Sequence, residues 1–171
     1  MADDRFFSFP NPVNEVAARA VASGVVLMGI AVAALGWGWV LIPLTYGFIA
    51  RVLAGPRISP LGLLATRIVA PRLASHEKLV PGPPKRFAQA IGVAFSITAS
   101  ALWLVGATTA SRLVIAMLVV AAFLEAALGF CLGCRIFGAL MRVGAIPEDV
   151  CAECNDLSLR YPEIAAPTGG S

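Results

Sequence analysis

Every cysteine of the chain falls into one of two CxxC pairs, Cys131-Leu-Gly-Cys134 and Cys151-Ala-Glu-Cys154, with sixteen residues between them. Two thiols at an i, i+3 spacing face the same side of a helix, where they can form a disulfide, exchange one with a partner, or supply half of a metal site. Two such pairs at this separation also suit a closed four-cysteine zinc site. Arg135 follows Cys131 at i, i+4, so its guanidinium can lie over the thiol and favour the thiolate, the form that attacks disulfides and binds metals. A helix running unbroken through the motif opposes this, because its C-terminal half disfavours an anion. The second pair follows Ile146-Pro-Glu-Asp-Val150, a helix-start pattern that would put Cys151 and Cys154 near an N-terminus and favour thiolate. The neighbouring acids Asp149, Glu153 and Asp156 pull the other way.

Glu125 is the remaining group with chemical potential. It interrupts an otherwise apolar stretch between Arg112 and Cys134. An ionisable side chain at such depth is costly and serves either as a proton relay or ligand for the cysteine site, or as a protonated structural carboxyl. Ser96, Thr98 and Tyr46 are the partners expected at similar depth. In a continuous helix Glu125 and Cys131 would be about 9 Å apart along the axis, able to share a cavity but not to touch.

The elements that must carry these residues are membrane spans. The chain has 171 residues, 58% of them hydrophobic and 13% charged, with a mean hydropathy of +0.83. A soluble domain is about one-quarter charged. No Asp, Glu, Lys or Arg occurs between Arg19 and Arg51 or between Arg86 and Arg112. The first gap would make a helix about 46 Å long against a hydrocarbon core of about 30 Å, so a break is needed, and Gly36-Trp-Gly38 supplies it. The fold class expected is all-α and polytopic. Four transmembrane helices form two hairpins, 14–54 and 85–142, joined by a basic connector at 55–84, with a segment at 1–13 before them and a tail at 143–171 after them. Within the first hairpin, helices at 14–36 and 38–54 carry Arg19 and Arg51, which snorkel to one surface, and Pro43 kinks the second.

Charge orients this bundle. The stretch Gly55–Arg86, the connector with the first two residues of the second hairpin, holds Arg57, Arg67, Arg72, Lys78, Lys85 and Arg86 against Glu77 alone, whereas the hairpin loops are nearly uncharged. The positive-inside rule puts the connector and both termini in the cytoplasm. Trp37, Trp39 and Trp103 then mark the outer ends as an aromatic belt. Leu61, Leu64, Ile68 and Leu73 with Arg67 and Arg72 read as an interfacial amphipathic segment broken at Pro71. Gly129 and Gly133 form a small-xxx-small pattern that allows close helix packing. His76 reads as a solvated loop residue, and the Pro/Gly/Ala-rich end after Tyr161 as disordered. With Asp3 and Asp4 ahead of any apolar stretch, a secretory leader is not expected. The net charge of +3 belongs to topology and anionic lipid, not nucleic acid.

Three segments carry a family resemblance: Phe130-Cys-Leu-Gly-Cys134, Gly144-Ala-Ile-Pro-Glu-Asp-Val-Cys151-Ala-Glu-Cys154, and Pro84-Lys-Arg-Phe-Ala-Gln89. Together they resemble the bacterial membrane family named for a domain of unknown function, DUF4395, over about residues 12–156. Pro12-Val-Asn14 mirrors the family's opening only loosely. The resemblance implies a four-helix membrane fold and no assigned activity. It also implies an association with thioredoxin-like and rhodanese-like proteins, and hence with thiol or sulfur transfer.

Three functions therefore stand side by side. The first is a membrane thiol–disulfide oxidoreductase or sulfur-relay protein, in which Cys151 and Cys154 meet a soluble thioredoxin-like or rhodanese-like partner and exchange with Cys131 and Cys134, with Glu125 and Arg135 assisting and a quinone as one electron acceptor. The second is a non-enzymatic zinc site made of Cys131, Cys134, Cys151 and Cys154. The third is a structural subunit of a larger membrane complex. A lasting structural disulfide on the cytoplasmic side is disfavoured by that reducing compartment. No phosphate-binding loop, nucleophile elbow or histidine-rich metal motif is present.

Overall fold

A computed structural model describes residues 11–72, 79–151 and 154. Leu73, His76, Glu77, Lys78, Glu153, Asp156 and the end after Tyr161 lie outside the described residues, as do the expectations placed on them. A short strand β1 (Val13–Asn14) leads into helix α1 (Glu15–Ala33), whose N-cap Asn14 accepts from the Val16 backbone N–H at 2.8 Å. A break through Gly36, where φ is +72°, and a 3-10 turn at Gly38–Val40 precede α2 (Leu41–Ala54). Short helices α3 (Pro60–Leu64) and α4 (Ala70–Arg72) are joined by a π-turn at Ala65–Val69. Strand β2 (Leu79–Val80) pairs antiparallel with β1 and leads into α5 (Gly82–Leu104) and α6 (Thr108–Leu128). An amphipathic helix α7 (Leu132–Arg142) and a 3-10 turn at Glu148–Cys151 complete the order.

Four stretches are long and apolar enough to cross a membrane: Glu15–Ala33, Gly38–Arg72, Gly82–Leu104 and Thr108–Leu128. Leu27, Ile42, Leu113, Met117, Val120 and Phe123 are each more than half exposed, a cost in water but the natural surface against lipid. The chain is an all-α membrane protein whose helices contact the bilayer.

Helix α1 packs chiefly against α6, α2 against α5, and α5 against α6, while the consecutive pair α1 and α2 touch little. The core between them is built from Val25, Val32, Leu44, Phe48, Ala99 and Ile115. Close approach comes from missing side chains: a Cβ on Gly29 would overlap Val119, and one on Gly92 would overlap the Phe48 ring. Ser111 Oγ donates to the Ala99 carbonyl at 2.7 Å, satisfying a buried hydroxyl between α6 and α5. The three tryptophans gather at one end, with Trp37 stacked on Trp39 at 6.2 Å and the Trp103 ring lying on Gly38.

Several details differ from the sequence expectation. Pro43 does not kink α2, because it sits in the first turn, where its missing N–H would have had no intrahelical partner. Arg51 does not snorkel. It is buried, with Nε donating to Gln89 Oε1 at 2.8 Å, Nη1 to Ser59 Oγ at 3.2 Å, and its guanidinium 4.7 Å over the Phe48 ring. Arg19 donates to the Ala126 and Ala127 carbonyls at 3.0 and 2.9 Å, capping the C-terminus of α6. The segment at 60–72 leans on α1, with Ala65 and Ala70 against Ala17 and Val21, and leaves Leu64, Arg67, Ile68 and Arg72 exposed.

Candidate functional site: two CxxC pairs at one cavity

The helix expected to run from Arg112 to Arg142 is two helices. Helix α6 stops at Leu128 because Gly129 takes the left-handed conformation, φ +65°, and returns its N–H to the Glu125 carbonyl at 3.0 Å while Phe130 N–H reaches the Leu124 carbonyl at 3.1 Å. The second glycine of the small-xxx-small pattern has a different task. Gly133 packs directly on Ala88 of α5, where an added Cβ would lie 2.6 Å from the Ala88 methyl.

This break inverts the electrostatics of the first cysteine pair. Cys131 is the N-cap of α7 rather than part of a helix C-terminal half, and its Sγ accepts from the Cys134 N–H at 3.3 Å. A helix N-terminus stabilises a thiolate there. The Cys131 thiol is held below its ordinary value chiefly by the hydrogen bond from the Cys134 thiol, with help from the positive charge of Lys85 and against burial and Glu125. The same hydrogen bond pushes Cys134 far up, so the proton of the pair stays on Cys134. Of the two, Cys131 is thus the thiol that ionises more readily and Cys134 the one that keeps its proton.

Arg135 is not the cation over Cys131. Its guanidinium lies 5.1 Å over the Phe130 ring, held there by cation–π attraction. The cation beside the thiol is Lys85, which enters from the first turn of α5 and pairs with Glu125 at 2.5 Å. Lys85 and Glu125 are only 9% and 15% exposed, so this is a buried ion pair. Glu125 is one turn from the end of α6 rather than midway along it, and its partner is Lys85, not Ser96, Thr98 or Tyr46. Ser96 instead donates to the Val93 carbonyl and Tyr46 to that of Ile58. The sequence does not mark Lys85 as a site residue, because a Lys-Arg step before a span reads as a topology signal. Its place at Pro84-Lys-Arg-Phe-Ala-Gln89, within a segment of the family resemblance, was the one hint available.

The second pair is a disulfide, Cys151–Cys154. Cys151 is buried in a small apolar cluster with Phe137 and Met141 of α7, and Phe87 and Ile146 pack against it. Phe87 of α5 and Phe137 of α7 meet at 5.6 Å between ring centres, and Cys151 packs into the same cluster, which ties the tail to both helices. Glu148–Cys151 is a single 3-10 turn that starts after Pro147, so Cys151 is its last residue and not near the start of a helix as the sequence pattern suggests.

A cavity of about 470 Å³ joins the two pairs. Cys131, Cys134 and Cys154 line it, with Lys85, Arg135 and Glu15 supplying its charge. The four residues Cys131, Cys134, Cys154 and Arg135 thus face one space, while Cys151 sits behind the disulfide and Glu125 behind Lys85. Among the described residues no group of three or more His, Cys, Asp or Glu side chains is placed to hold a metal ion, and the sulfurs of the tail pair are bonded to each other.

None of the curated proteins and none of the solved structures matches the chain. The family described as "Domain of unknown function (DUF4395)" matches residues 13–142, which include Gly129 and Gly133, the Lys85–Glu125 pair and the first CxxC but stop short of the second. On that match over most of its length, the chain belongs to the DUF4395 family.

Proposed function

We propose that this is a thiol–disulfide exchange protein of the bacterial inner membrane, passing electron pairs between a soluble dithiol partner, its tail pair Cys151/Cys154 and its membrane pair Cys131/Cys134. The observation that carries this reading is the shared cavity lined by Cys131, Cys134 and Cys154. The helices form two hairpins with both termini and both cysteine pairs on the cytoplasmic side. Support for that orientation comes from the basic residues Arg57, Arg67, Arg72 and Arg86, all near the cysteine end of the bundle, and from the tryptophans at the opposite end.

The exchange balances as follows. The Cys154 thiolate of a reduced tail attacks Cys131 Sγ of a Cys131–Cys134 disulfide, and Cys134 leaves as thiolate and takes a proton. Cys151 then attacks Cys154 Sγ, and Cys131 leaves. The tail dithiol is oxidised and the membrane disulfide reduced by the same two electrons. A leaving thiol departs faster the lower its pKa, which suits Cys131 to the final step. A soluble dithiol of the thioredoxin-like kind reduces the tail again. In a reducing compartment a tail disulfide of this kind is a transient of exchange, not a structural bond.

The test starts from protein oxidised at both pairs and incubated with reduced thioredoxin, then trapped by alkylation and read by mass spectrometry. Free Cys131 and Cys134 should appear in the natural chain and stay absent when Cys151 and Cys154 are both serine. One zinc per chain, with all four thiols protected until a chelator is added, would overturn the exchange reading.

A further inference from the structure

Besides the polar cavity there is an apolar groove of about 220 Å³, lined by Phe48, Gly92, Phe95, Leu118 and Ala121 along the spans and by Cys131 at one end. It faces the lipid, since Met117, Leu132 and Ile136 on its rim are 63%, 43% and 41% exposed. Cys131 is the one residue that lines both the groove and the polar cavity. The ion pair straddles the same partition, with Lys85 on the cavity and Glu125 on the groove. Gln89, whose Oε1 accepts from Arg51 Nε while its NH2 group is a donor, is a further polar group at that end.

We propose that the groove holds the head of a lipid-soluble quinone, which takes electrons from Cys131 and Cys134. The inference rests on the exchange reading above and adds its terminal electron acceptor. Four features choose this occupant. The groove is apolar and open to the bilayer, the phase in which such quinones are dissolved. Its volume suits one substituted ring with the isoprenoid tail left in lipid. Its polar groups are the Gln89 amide, whose NH2 can donate to a quinone carbonyl, and the Glu125 carboxylate, which can relay a proton taken from Lys85. Its one cysteine, Cys131, also faces the cavity that Cys154 of the tail disulfide lines.

The step balances. The Cys131 thiolate adds to the quinone ring, forming a carbon–sulfur bond. The Cys134 thiol gives up its proton and attacks Cys131 Sγ, forming the disulfide and breaking that bond. Two electrons pass to the ring, and the quinone leaves as quinol with two protons. Cys134 supplies one of these. The other comes through the Lys85–Glu125 pair, which the polar cavity reprotonates from water.

The test uses the full chain in phospholipid nanodiscs, reduced and then mixed with decylubiquinone. Quinone absorbance and the Cys131–Cys134 disulfide are followed together. The inference expects saturable quinol formation, one quinol per disulfide, slowed at least tenfold by Ala121→Phe, which fills the groove. Thioredoxin-driven reduction of the membrane pair is measured in the same samples, and Ala121→Phe leaves it unchanged because Ala121 lines the groove and not the cavity. An azido-quinone should also cross-link to α5 or α6 in the natural chain and not in the filled variant, a readout that needs no turnover. Should thioredoxin reduce the membrane pair while decylubiquinone neither oxidises it nor cross-links, the groove holds ordinary lipid and the quinone inference is overturned while exchange stands. Should thioredoxin fail as well, both fall.

Discussion

Replacing Lys85 by Met and Glu125 by Gln, singly and together, measures the buried ion pair that joins α5 to α6. At 2.5 Å the attraction between unit charges is about 6–7 kcal/mol with an effective dielectric constant near 20. Removing both groups from water takes back several kcal/mol of that. Either single change leaves a charge stranded at a site that is 9% or 15% exposed, a mechanism that costs about 3–5 kcal/mol in buried pairs. Arg51 softens the Lys85→Met case, since it also feels the Glu125 charge and remains to balance it. The double variant strands no charge and should be more stable than the sum of the singles implies by about 2–3 kcal/mol. The assay is unfolding in mixed micelles titrated with dodecyl sulfate and followed by helicity. Additive single effects, with a coupling below about 0.5 kcal/mol, would refute the argument that the two charges act as one buried unit.

Other consequences are equally open to measurement. A Cys131 pKa below the ordinary value means more thiolate at any given pH, so its alkylation rate should level off at lower pH than that of a free cysteine, while Cys134 stays unreactive. Changing Cys134 to Ala removes the main hydrogen-bond donor and should move the Cys131 profile to higher pH; an unmoved profile contradicts the assigned cause. Gly129→Ala forces a side chain into a left-handed position and within 2.8 Å of Glu15 Oε1, so it should destabilise the fold by about 1–2 kcal/mol in the same unfolding assay. Phe137→Ala empties the packing over Cys151 and removes about 3 kcal/mol of apolar contact. The tail disulfide should then be reduced at least tenfold faster by a small phosphine, and an unchanged rate would show that α7 does not shield it.

Much of the bundle is readable from hydropathy alone. The uncharged stretches, their lengths against a bilayer, and the glycines near position 37 point to helical spans and a break, because a continuous apolar run of that length satisfies its own backbone hydrogen bonds in lipid as a helix. The cysteine site was half legible. Its residue types and spacing announce thiol chemistry, but its electrostatics depend on the conformation of Gly129, which periodicity does not report. A leucine-rich run followed by Gly-Phe-Cys continues the apolar pattern smoothly, and only the left-handed turn shows that Cys131 opens a helix instead of riding along one. Lys85 was hidden for a related reason. A lysine at a span end normally reaches water, and here the carboxylate of Glu125, brought over by α6, holds it inside. Partnerships between helices far apart in sequence leave no trace in a single chain's pattern.

The central claim is that the two pairs exchange through Cys131 and Cys154. With Cys134 and Cys151 both changed to Ser, these are the last two thiols in the chain, and mild oxidation in nanodiscs followed by mass spectrometry shows what they do. An internal Cys131–Cys154 disulfide in most molecules is the predicted result, reached well before any bond forms in the reciprocal variant that keeps only Cys134 and Cys151. Two thiols that stay free, or that pair only between separate chains, would contradict the account.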